Sequence, residues 1–268
     1  MRMKGAFTAL FPLLIGITAL TTVTFVLSLL TLFAGTSTDS HGQSAIITFN
    51  TSSIRSAISN ALSTTAIADW YQVNYLSVCS GMWDAASGSK NQSTIICVHQ
   101  PAGYTFSLAK ILGSEAAQLL PTNSTYGTLD TRTPQVLLTI GITCSGIYLT
   151  SLLYGAAVLL VTSTLPFFVL RIGYLASIAA VIVLTISSAK ITSIADKMAG
   201  TTHINAGATV HAWMGWYFYV FAWLATAFIW ITIGFSIAAA FKIAQELEVQ
   251  KSKRFSESRQ NRVNKGIY

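Results

Sequence analysis

Residues 136–188 read VLLTIGITCSGIYLTSLLYGAAVLLV, then TSTLP, then FFVLRIGYLASIAAVIVLTISS. Two apolar runs, Val136–Val161 and Phe167–Ser188, carry one charge between them, Arg171. Each is long enough to cross a hydrocarbon core of about 30 Å at about 1.5 Å per residue. The residues from Thr162 to Pro166 leave room only for a tight turn, so the stretch predicts an antiparallel hairpin of membrane spans. Gly141, Ser145, Gly155 and Ala156 on the first run, and Gly173, Ser177 and Ala180 on the second, let two backbones approach where lipid supplies no hydrophobic drive. Arg171 lies near an end and can snorkel to the interface.

Outward from this hairpin, two further runs meet the same length requirement, Ala6–Phe33 and Trp213–Phe241. The whole chain fits them, being 52% hydrophobic and only 9% charged, against about one quarter charged in soluble domains. The first run follows Arg2 and Lys4, as a signal peptide would, but is nearly twice the ~7–15 residues of a signal core. It is read as an uncleaved helix. The fold class expected is an all-α integral membrane protein, a four-helix bundle with a large, disulfide-bonded extracellular first loop. Its expected organisation is an N-terminus at 1–5, spans at 6–33, 136–161, 167–188 and 213–241, a first loop at 34–135, a turn at 162–166, a second loop at 189–212 and a tail at 242–268.

Charge sets the orientation through the bias of Lys and Arg toward the cytoplasm. The N-terminus and tail hold nine basic residues, whereas the long first loop holds four, Arg55, Lys90, Lys110 and Arg132. Both termini are therefore expected inside. The net charge of +7 gathers at one end instead of along a groove, which argues against a nucleic-acid partner. Within the tail, Lys251, Lys253, Arg254, Arg259, Arg262 and Lys265 form a basic segment expected to face anionic lipid.

The first loop is patterned. Ile54, Ile58, Ala61, Leu62 and Ala66 recur at helical spacing, and a second helix is expected from about Leu108 to Leu120, stopping at Pro121. Cys79 and Cys97 are the only cysteines outside the spans and lie in an oxidising compartment, so a disulfide is expected. A zinc site using both with His99 is the competing reading. It lacks the closely spaced ligand pairs that structural zinc uses. Cys144, mid-span, reads as a packing residue, and Asp196, His203 and His211 read as solvated polar groups. Asn50, Asn91 and Asn123 each open an N-glycosylation tripeptide in this loop. Trp213, Trp216, Tyr217, Phe218, Tyr219, Phe221 and Trp223 read as an interfacial aromatic belt.

The segment from Trp70 to Trp83, WYQVNYLSVCSGMW, followed by Cys97 and by GYTFSL at 103–108, resembles fungal claudin-like tetraspans of the cortical-patch (eisosome, Sur-seven-type) and PalI family. The resemblance rests on Trp70, Cys79, Ser80, Gly81, Trp83, Cys97 and Phe106. It implies a plasma-membrane protein that organises cortical domains and is linked to the cell wall, endocytosis or morphogenesis. Animal claudins are similar at greater distance, but Gly81-Met-Trp83 follows Cys79 here, so their pore chemistry does not carry over. PalI-type members look like ambient-pH sensors with long tails, whereas this tail is short.

No nucleophile, base and orienting group assemble into a catalytic pattern, and no cofactor is called for. All nine carboxylates lie outside the spans, contrary to a proton-coupled transporter. A channel would need a filter, and Asp69, Asp84 and Asp130 stand singly. The expected partners are membrane lipids, further copies of the chain, and cell-wall or cortical scaffold proteins. A sensor or regulatory subunit is the alternative, and a channel component the third reading.

Overall fold

A computed structural model describes residues 4–34, 44–59, 67–83, 92–117, 120, 127–162, 167–203 and 209–264. Four long helices dominate: α1 (Lys4–Phe33), α4 (Arg132–Thr162), α5 (Phe167–Met198) and α6 (Trp216–Asn264). Each contains a segment long and apolar enough to cross a membrane, within Pro12–Phe33, Arg132–Val158, Phe168–Met198 and Trp216–Lys242. The four close into a ring, with α4 packed on α5, α1 on α6, α1 on α4 and α5 on α6. Outward residues such as Leu175, Ile182, Trp230 and Phe241 are exposed. In water that girdle would be a liability, whereas in lipid it is the solvent contact.

Small residues set the α4–α5 contact. A Cβ at Gly141 would meet Leu184 Cδ2 at 2.5 Å, one at Gly155 would meet Leu170 at 3.0 Å, and one at Gly173 would overlap Ser151 Oγ. Ser145, Ser177 and Ala180 are fully buried alongside them. Hydroxyls add interhelical bonds, with Ser188 to Thr226 at 3.1 Å joining α5 to α6 and Tyr148 to Ser236 at 2.7 Å joining α4 to α6. The turn at 163–166 lies outside the described residues.

The extramembrane part is a β-structure, which corrects the all-α reading. Its strands are β1 (Ile47–Asn50), β2 (Trp70–Val73), β3 (Ser77–Trp83), β4 (Gln92–His99), β5 (Thr105–Ser107), β6 (Thr128–Asp130), β7 (Gly200–His203) and β8 (Thr209–Met214). Six form one antiparallel sheet in the order β4-β3-β2-β1-β8-β7, and β5 pairs with β6 in a second. The sheet joins both loops, because β1 pairs with β2 on one side and β8 on the other. Five of the eight have four residues or fewer. ITFN and WYQV are four residues each, too brief for a periodic signal. Helix remains in α2 (Ser52–Ser59) and α3 (Leu108–Ala117), which breaks at Gly113, φ 82°. The part of the first expected helix beyond Ser59 lies outside the described residues.

Element ends also shift. α5 runs past Ser188 to Met198, since no Gly or Pro interrupts it before Gly200 at φ 124°. Trp213, read as the start of a span, lies in β8, paired with Thr48, and α6 begins after Gly215. α6 then continues unbroken to Asn264, well past Phe241, where the expected span ends. Residues 242–264 are rich in Lys, Gln, Glu and Arg and hold no Gly or Pro, which favours continuation.

The tight α4–α5 seam predicts that Gly141→Val and Gly173→Val each lower stability by about 1–3 kcal/mol through overpacking. Gly234→Ala, where an added Cβ meets nothing within 4 Å, should stay within about 0.5 kcal/mol of the parent. Thermal unfolding of the purified protein in detergent distinguishes them.

Candidate functional site

The motif residues converge on one end of the large sheet. Cys79 and Cys97 face each other across β3 and β4 and form a disulfide, with Cα atoms 4.0 Å apart. Both thiols are thus consumed, which removes the ligands the zinc reading with His99 requires. Among the described residues no three His, Cys, Asp or Glu side chains gather as a metal site. Trp70 is fully buried in β2, opposite Gly81 in β3, and its ring lies 6.3 Å from that of Trp83. Register places Trp70, Cys79, Gly81 and Cys97 on one sheet face and Ser80 on the other. Phe106 lies apart, in β5, stacked on Phe49 at 5.5 Å.

Asp69 locks this end. Its carboxylate accepts from Arg55 Nη1 at 2.9 Å to each oxygen, and from the Trp83 amide at 2.9 Å. Its own backbone donates to Gly81 O and accepts from Thr51 N, both at 2.8 Å. One acidic residue therefore ties α2, β2 and β3 together, an engagement unlike that of an ion-filter acid. No local pattern announces this pairing, since Arg55 lies 14 positions away.

A second group seats the sheet on the bundle. Tyr75, in the β2–β3 turn, is buried against Phe218 in the first turn of α6, ring centres 5.6 Å apart. Tyr104 donates its hydroxyl to Asn74 O at 2.5 Å, pinning the same turn, while Gly103 N donates to Gln135 Oε1 of α4 at 2.6 Å. Tyr219 of α6 donates to Ile46 O at 3.0 Å, just before β1. Burial pushes the Tyr75, Tyr104 and Tyr71 phenols up from their ordinary value. Tyr75 and Tyr104 lie in the quoted family segments, but nothing local marks them as anchors. Of the aromatic belt, Phe218 and Tyr219 turn to this seat, whereas Trp216, Tyr217 and Trp223 are exposed.

A cleft of about 280 Å³ opens between β3, β5 and α3, lined by Val78, Tyr104, Phe106, Lys110 and Ile111 among others. Beside it, Ile96 and Val98 are exposed on the edge strand β4. His203 ends β7 and His211 lies in β8, its ring 5.7 Å from Trp213; Asp196 is exposed near the end of α5. Cys144 is half-buried with a free thiol. Asn50 accepts from the Ser52 amide and hydroxyl, at 3.1 and 2.7 Å, and so caps α2. Asn91, Asn123, Asp84 and Lys265 lie outside the described residues, while Lys251, Lys253, Arg254, Arg259 and Arg262 occupy the last turns of α6.

The SUR7/PalI family model matches residues 13–238 of the 268, from the first span through most of the fourth. No curated protein and no solved structure gives a match.

Two outcomes follow from the Asp69 and Asn50 geometry. Asp69→Ala should cost about 2–4 kcal/mol, because it leaves the Arg55 cation and the Trp83 amide without their acceptor. Asp69→Asn, which keeps an acceptor, should cost less by thermal unfolding. The cap engages Asn50 Oδ1 and not Nδ2, the atom that a sugar would join, so Ser52→Ala, which abolishes the first glycosylation tripeptide, should remove one glycosidase-sensitive step in mobility. Unchanged mobility would show that Asn50 carries no sugar.

Proposed function

The chain belongs to the SUR7/PalI family, and from that premise we propose that it is a non-enzymatic, multi-pass plasma-membrane protein that organises cortical membrane domains. On this reading both termini are cytoplasmic and the sheet is extracellular, in a claudin-like arrangement. The observation that carries it is the seating of one sheet, built from both loops, on the ends of α4 and α6 through Gln135, Phe218 and Tyr219. Such a platform has little freedom relative to its helices, so a contact made outside constrains the lateral packing of the spans inside.

Non-enzymatic action is part of this proposal. The acidic group of the sheet face, Asp69, is held by Arg55 and a backbone amide, which suits a structural part better than an acid–base catalyst. Side-by-side association of copies, with wall material or cortical proteins as further partners, is the physical route proposed for domain formation. The apolar outer faces of the helices are compatible with close neighbours as well as with lipid.

A fluorescent fusion imaged in the native cell tests the reading. Stable patches or septal bands at the cell edge are expected. A diffuse or endosomal distribution overturns it. The disulfide supplies a control on folding: Cys79→Ser should reduce surface delivery, because losing a native disulfide from a small extracellular module costs about 2–5 kcal/mol, and internal retention by microscopy is the expected result.

A further inference from the structure

α6 has 49 residues, 17 more than α5, the next longest helix. At about 1.5 Å per residue the excess is about 25 Å of helix with no neighbour of equal length. Its apolar window ends at Lys242. Arg254, Arg259 and Arg262 lie 12, 17 and 20 residues further on, or about 18, 26 and 30 Å along the axis. A headgroup layer is about 6 Å thick, and a tilt of about 20° shortens these heights by less than a tenth. All three positions therefore stand beyond about 8 Å, one Debye length at physiological salt, from the headgroups. A straight helix carries most of this charge out of reach of the lipid surface, contrary to the expectation that the tail lies against it.

The charge is also sorted around the helix. At about 100° per residue, positions 251, 254, 255, 259 and 262 share a sector of about 140°. That sector holds Lys251, Arg254, Arg259 and Arg262 with one aromatic residue, Phe255. Glu257 falls outside it, three residues after Arg254 and four after Lys253, in the spacing of helix ion pairs, while Glu248, one turn before Lys251, lies within it at the base of the stalk. A lone topology signal needs cations but no such sorting.

We propose that the distal part of α6, from Lys251 to Arg262, is a helical stalk whose basic face docks an acidic segment of a partner protein. Complementary charge supplies the attraction. This deepens the organiser reading and rests on it for the side of the membrane on which the partner is found.

The experiment uses the full chain in nanodiscs of phosphatidylcholine, with or without phosphatidylserine, carrying Cys144→Ser and a fluorophore on Val263→Cys. The probes are an oligoglutamate peptide, followed by anisotropy, and headgroup-labelled lipid, followed by energy transfer. Salt-sensitive peptide binding is expected. Combining Lys251→Gln, Arg254→Gln, Arg259→Gln and Arg262→Gln should weaken it about tenfold, as the sum of four modest charge contacts. Lys253→Gln should change it by about twofold or less, and Gln keeps the helix propensity. Energy transfer should be the same with and without phosphatidylserine. The proposal is overturned if the peptide does not bind, if Lys253→Gln weakens binding as much as the four together, or if phosphatidylserine raises the transfer, which would make lipid the occupant. Cortical patches are not read in this experiment, so either reading can fail while the other stands.

Discussion

The extramembrane sheet depends on the double pairing of a four-residue strand. β1 satisfies its backbone by bonding β2 from the same loop on one side and β8 from the second loop on the other. Without it the first loop would present β2 as an open edge and the β7–β8 hairpin would stand alone, and an isolated two-stranded hairpin is marginal in water. Because the second loop is the link between α5 and α6, the same pairing fixes where those helices emerge relative to α1. Tyr219 reinforces it from below, donating to Ile46 O immediately before the strand begins.

Around that strand the chain uses different interactions at different depths. In the bundle, glycines and hydroxyls allow close approach, because apolar burial gives no preference between protein and lipid. In the extramembrane part, burial of Phe49, Val73, Tyr75 and Phe106 resumes its ordinary role. The disulfide adds a covalent clamp toward the edge farthest from β7, and the Asp69–Arg55 pair closes the same end. The two regimes meet at Gln135, Phe218 and Tyr219, where the Tyr219 ring with its polar tip suits a boundary that is apolar on one side and wet on the other.

The number and approximate position of the spans were legible because a helix crossing lipid must bond its backbone internally and present about twenty apolar side chains. The family resemblance was legible from Trp70, Cys79, Gly81 and Cys97, which occupy one neighbourhood of the sheet. Their clustering was not legible, since register, not sequence distance, brings Trp70 opposite Gly81 and Cys79 opposite Cys97. The Asp69–Arg55 pair and the Tyr75–Phe218 contact were hidden for the same reason.

By itself, then, the sequence determined a four-span membrane chain with a cysteine-bearing loop and a basic end, because length, hydropathy and charge are local quantities summed along the chain. The tertiary structure alone decided that both loops share one sheet, that Asn50 is a helix cap, and that the basic end projects as a helix. Strand pairing joins residues as far apart as Thr48 and Trp213. Short strands carry too few residues for a periodic signal of their own, so their partners are chosen only when the bundle brings the loops together.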